Sequence, residues 1–184
     1  MKPEPPPTLA EKLGTTTHLS PLLMKARRLG LDADGLERTA MQRGCDYYYD
    51  GSPPLPVPVS RAEFSDGELA LALLNPALRY HPQTLRLGAA MLGAQANDPD
   101  ELARRAREER CELVVSHVAQ AGRRFEPENP FWERLLALLP ATPPAKSGVL
   151  PHPTRFVAMT GITRRGVETV TQWIRPASRP PTHG

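Results

Sequence analysis

The chain has 184 residues, 40 % hydrophobic and 5 % aromatic, with a formal net charge of +3. That length fits one domain with a modest core, and no window approaches the roughly 18 apolar residues a membrane span needs. Two distant cysteines argue against a disulfide framework, and "MKPEPPPTLAEKLG" has no apolar run to serve as a signal peptide.

The expected location is therefore cytoplasmic, with Cys45 and Cys111 as reduced core thiols. The charge is uneven. From Pro151 to Gly184, Arg155, Arg164, Arg165, Arg175 and Arg179 stand against Glu168 alone, giving +4; the rest holds 18 basic and 19 acidic residues, or −1. Nineteen of the 23 basic residues are arginine, which matches the coding bias of a GC-rich bacterial genome.

Residues 1–17 read as a flexible, proline-rich lead. "SPLLMKARRLG" predicts a helix with Ser20 as N-cap, Pro21 in the first turn and Gly30 past its end. Its inward face is Leu22, Leu23, Ala26 and Leu29. "DADGLERTAMQRG" predicts a second helix with Asp32 as N-cap, Leu36 and Ala40 inward and Gly44 as its stop. In "CDYYYDGSPPLPVPVS" the spaced prolines favour extended polyproline conformation, a rigid strap between helices.

Helices then resume. "SDGELALALLN" opens with a capping box of Ser65 and Glu68. The helix after His81 and Pro82 buries Leu85, Ala89 and Leu92. "DPDELARRAREERCELVVSHVAQAG" reads as one long helix, capped by Asp98 with Glu101 completing a box, and with His117 on its apolar stripe. "NPFWERLLALLP", capped by Asn129, is apolar almost all round and reads as the central, most buried helix. Residues 141–153 form a linker. Residues 154–176 then read as strand, turn and strand, rooted through Phe156, Trp173 or Ile174, with "TRRG" at the turn and an extended tail over 177–184.

The expected fold is mainly α: a compact bundle of five to six short helices over 18–140, a C-terminal two-stranded β-hairpin and proline-rich extended termini. Three function classes stay open. The leading one is a non-enzymatic binding or assembly protein, with a protein partner or self-association through Arg164, Arg165, Trp173 and Arg175. Its basis is the basic C-terminal segment and the proline-rich arms, which lose little entropy on docking.

The second is a small DNA-binding regulator. Residues 20–43 align with a helix-turn-helix, and the hairpin would act as a wing, with Arg27, Arg28, Arg164 and Arg165 on nucleic acid. Against it, the would-be recognition helix opens with Asp32 and Asp34, which repel phosphate, and Lys25 and Thr39 stand where apolar residues belong. The third is an enzyme with a dispersed site, which needs a cleft bringing His117 to buried acids. No nucleophile motif, phosphate-binding glycine loop or metal-ligand spacing occurs in the sequence, so no catalytic residue, metal or cofactor is expected. "DYYYD" lies between acids and reads as rings packed under the proline strap, and "PPLP" as part of that strap rather than as a peptide ligand.

Overall fold

A computed structural model describes residues 2–160 and 170–177, with the backbone alone at residues 160 and 170. Eight α-helices and one two-stranded antiparallel sheet make up the described residues, so the fold is mainly α with a C-terminal hairpin. The helices are α1 (Leu9–Leu13), α2 (Pro21–Arg28), α3 (Ala33–Gln42), α4 (Asp66–Leu73), α5 (Pro82–Leu92), α6 (Pro99–Glu108), α7 (Glu112–Phe125) and α8 (Pro130–Leu138). The strands are β1 (Val157–Thr160) and β2 (Val170–Trp173).

The local start signals act as the sequence indicates. Ser20 accepts from the Leu23 amide, Asp32 from Gly35 and Asn129 from Phe131, and Ser65 forms a full capping box with Glu68. Asp98 caps α6 through the Asp100 amide. The expected box with Glu101 is absent because Glu101 turns to Arg104 and Arg105.

Three expectations need correction. The lead is not wholly extended: Thr8 and Glu11 form a capping box for α1, and Leu9, Ala10 and Leu13 are buried. Leu9 and Ala10 donate backbone hydrogen bonds to Leu78 and Pro76, which docks this turn after α4.

The long helix expected over 98–122 is broken between α6 and α7, where Arg110 takes φ +54°. The cause is tertiary. The buried Glu109 carboxylate accepts from the Ser20 hydroxyl, from the Leu22 amide at 3.0 Å and from Asn75 Nδ2 at 3.1 Å. Three donors on an otherwise buried charge outweigh one turn of helix.

The central helix is α4, not α8. Every residue from Leu69 to Leu74 is buried. In α8 only Trp132 and Leu135 are fully enclosed, Phe131 is half-buried, and Glu133, Arg134 and Ala137 face out. An all-round apolar composition does not say how many neighbours surround a helix.

One carboxylate joins three helices. Glu68 of α4 pairs with Lys25 of α2 at 2.8 Å and Arg105 of α6 at 2.9 Å. A single apolar core runs from Leu9 and Leu13 through the helices to Leu150, Phe156, Trp173 and Ile174, so the segments read as lead, linker and hairpin all contribute to it.

Leu135 is fully enclosed between α8 and its neighbours. Leu135→Ala should cost about 2–5 kcal/mol in chemical denaturation, by lost transfer energy plus a cavity. An unchanged midpoint would remove it from the core. Cys45 and Cys111 are buried and unpaired, and burial pushes the Cys45 thiol up to about 12. Both should resist a thiol reagent in the native protein and react on unfolding without reductant, as read by intact mass.

Candidate functional site

The hairpin root is built from aromatic residues brought from three parts of the chain. Val157 pairs with Trp173, and Phe156 and Ile174 flank that pair; Phe156, Trp173 and Ile174 are all buried. The Trp173 ring lies 4.7 Å from Trp132 of α8 and 5.6 Å from Phe156, centroid to centroid. These are packing distances for ring pairs.

Two glycines make room. A Cβ on Gly93 would stand 2.8 Å from Trp173 Nε1, and one on Gly122 would overlap the Trp132 ring. Side-chain-free positions on α7 and after α5 are thus what let two indoles enter the core.

Arg175 continues the root. Its Nε donates to the Gly93 carbonyl at 2.8 Å, and its two terminal nitrogens donate to the two oxygens of Glu126, each at 2.6 Å. Trp132 Nε1 donates to the same carboxylate at 2.7 Å. Burial would raise the Glu126 carboxyl; donors from Arg175, Trp132 and Asn129 outweigh it and hold the group below the ordinary glutamate value.

Trp173 and Arg175, expected at a partner surface, are therefore engaged inside the protein, where they fix the hairpin. The fork geometry of an arginine meeting a carboxylate with both arms is structural here. Arg164 and Arg165 lie outside the described residues.

The support stops at the root. Alternation places Val157, Met159, Thr171 and Trp173 on one face of the sheet. On that face Trp173 is buried, whereas Met159 is 75 % exposed and Thr171 is also exposed. The bundle covers the first pair of the ladder and leaves the next uncovered.

Arg27 and Arg28 sit exposed in the last turn of α2. The helix beside them is unlike a recognition helix. In α3 only Asp34 is exposed, and it pairs with Arg79. Glu37 accepts from the buried Thr84 hydroxyl, and Arg38 donates to the carbonyls of Pro53 and Pro54 on the proline strap. Thr39 is buried and Lys25 is bound to Glu68, which explains two residues that do not fit a helix-turn-helix. With this burial α3 has no face to lay in a groove.

Tyr48 is buried, and its hydroxyl donates to the Arg155 carbonyl at 2.8 Å rather than packing beneath the prolines; Tyr47 and Tyr49 are exposed. His117 Nε2 donates to the Pro151 carbonyl at 2.8 Å, and among the described residues no carboxylate lines the cleft beside it. The convergence of histidine and acids that an enzyme reading requires is not formed there. Among the described residues no group of three potential ligands is arranged for a metal ion, and no helix is long and apolar enough to cross a membrane.

Sequence reasoning missed Glu126 and Trp132 as partners of the hairpin. "EPENPFW" looks like a helix cap, and only the return of Arg175, 49 residues later, shows its second use.

The lowered Glu126 value fixes the sign of a pH effect. The pair's stabilisation is complete above the unfolded-state value and is lost as pH falls through the lowered folded value. Glu126→Gln should lower the melting temperature at neutral pH and flatten the acid limb of a stability-versus-pH curve. A curve parallel to wild type would assign the acid sensitivity elsewhere.

Comparison with protein-family models, with curated proteins and with solved structures returns no match.

Proposed function

We propose that this chain is a non-enzymatic binding or assembly protein, whose helical bundle carries a basic C-terminal hairpin that docks on an acidic protein surface. The observation that carries the reading is the split exposure of one sheet face, buried at Trp173 and open at Met159 and Thr171. A ladder used only to close the core would be covered along its length.

Charge supplies the partner's chemistry. The segment from Pro151 onward holds five arginines against one acid, and the remainder of the chain is close to neutral. Of those arginines, Arg175 is neutralised by Glu126, so Arg164 and Arg165 bring two adjacent cations to the stretch that joins the strands. Residues of this kind steer association and set its salt dependence more than they set stability. Protein is favoured over nucleic acid because α3, the element that would enter a groove, is buried.

The test is a double charge reversal, Arg164→Glu with Arg165→Glu. On this reading the two charges act on a partner and not in folding, so stability should change by no more than about 0–1 kcal/mol. Association with partners recovered from the native host should fall sharply, and its salt dependence should disappear. Recovery that is lost on nuclease treatment would redirect the reading to nucleic acid. Unaltered binding of every partner would end it.

A further inference from the structure

Five arginines among the described residues are not exposed: Arg38, Arg43, Arg86, Arg105 and Arg175. Four have partners. Arg38 donates to Pro53 and Pro54, Arg43 to Asp66, Arg105 to Glu68 and Arg175 to Glu126. Arg86 has neither an ion pair nor a hydrogen bond among the described residues, and its Nε is buried. A guanidinium is always charged and carries five donors, and buried donors are paired in nearly every case. Leaving one unmet costs its desolvation with nothing in return. Among the described residues Arg86 is the one half-buried arginine left without any polar partner.

Its surroundings are shaped to admit a partner from outside. Arg86 of α5 lines a cleft of about 630 Å³ between α5, α7 and residues 142–155. Lys146, Arg155, His117 and His152 also line it, and among the described residues no aspartate or glutamate does. The Lys146 ammonium additionally lies beside Gly14 at the end of α1. A second cleft, of about 610 Å³, shares Arg86 and Arg155 and has Asp50 as its acid, which already accepts from the Ser52 amide.

The outer wall is fixed before any ligand arrives. The Tyr80 hydroxyl donates to the Val149 carbonyl at 2.7 Å, His117 Nε2 to Pro151 at 2.8 Å, and the Tyr48 hydroxyl to Arg155 at 2.8 Å. Leu150 is buried between the first two of these ties. A proline-bearing segment pinned at three carbonyls keeps its side chains over the cleft at low entropic cost.

The geometry points to a small organic phosphate as the ligand of this cleft, with its phosphate group between Arg86 and Arg155 and its organic part along the wall of Leu113 and Tyr80. Two guanidinia and an ammonium without an acid exceed what one carboxylate neutralises, and they suit a dianion. The planar guanidinium fork matches phosphate oxygens. The volume lies in the range of small-molecule sites and exceeds the need of an ion alone. This inference is independent of the hairpin reading, since neither Arg164 nor Arg165 enters it.

The experiment is calorimetric titration of the full chain with glycerol 3-phosphate, inorganic phosphate and acetate, at constant ionic strength set with chloride. Glycerol 3-phosphate should bind more tightly than inorganic phosphate, and acetate should give no saturable heat. Arg86→Met should weaken binding at least tenfold while leaving the unliganded melting temperature unchanged or raised, because no internal partner is lost. A structural arginine would instead lower it. Arg155→Gln changes an exposed side chain, so it tests the site should the Met variant fail to fold; it too should weaken binding. No saturable heat with either phosphate, preference for acetate, or equal affinity in both variants would overturn the assignment.

Discussion

The Glu126 carboxylate is the point on which the C-terminal third of the molecule hangs. It sits just after α7, accepts from the Trp132 indole at the start of α8, and receives both arms of Arg175 beyond β2. A two-stranded hairpin is marginal in water. This one is made tenable by tertiary contacts: ring pairs among Trp132, Trp173 and Phe156 contribute about 0.5–1.5 kcal/mol each beyond burial. The charge-assisted fork from Arg175 adds direction to that adhesion. The positions that admit the indoles are two glycines, so the bundle surface is complementary to the hairpin in shape as well as in charge.

What could be read in the sequence is what is decided within a few residues. The caps at Ser20, Asp32, Ser65 and Asn129 are local hydrogen bonds, and the helices behind them lie where those residues place them. The buried root of the hairpin was legible too, because Phe156, Trp173 and Ile174 are large and apolar in an otherwise polar segment. What could not be read is decided by partners far along the chain. Glu109 breaks a helix because Ser20 and Asn75, 89 and 34 residues away, meet its oxygens. Arg175 looks like a free cation until Glu126 stands beside it. Arg86 carries no signal at all, since its lack of a partner among the described residues is a property of space and not of spacing.

The acids explain where the charge goes. Glu68 binds helices α2, α4 and α6, Asp66 takes Arg43 and Arg61, and Glu126 takes Arg175. These three carboxylates are used as internal ties, each with more than one donor, which offsets the cost of partial burial. The cations outside this scheme are the informative ones. Among the described residues they include Arg27 and Arg28 at the exposed end of α2, and Arg86 in its cleft.

The cleft and the hairpin meet at one residue. Arg155 lines both clefts beside Arg86, its carbonyl is held by Tyr48, and it immediately precedes Phe156, which is buried in the hairpin root. An anion drawing on the Arg155 side chain bears on a residue whose backbone enters the root directly. Such a junction couples two events only where the bound and free states place Arg155 differently. Linkage then makes the coupling reciprocal: a partner on the hairpin changes phosphate affinity by the factor with which phosphate changes the partner's. With its carbonyl tied and the following ring in the core, Arg155 is the residue through which occupancy of the cleft would reach the hairpin.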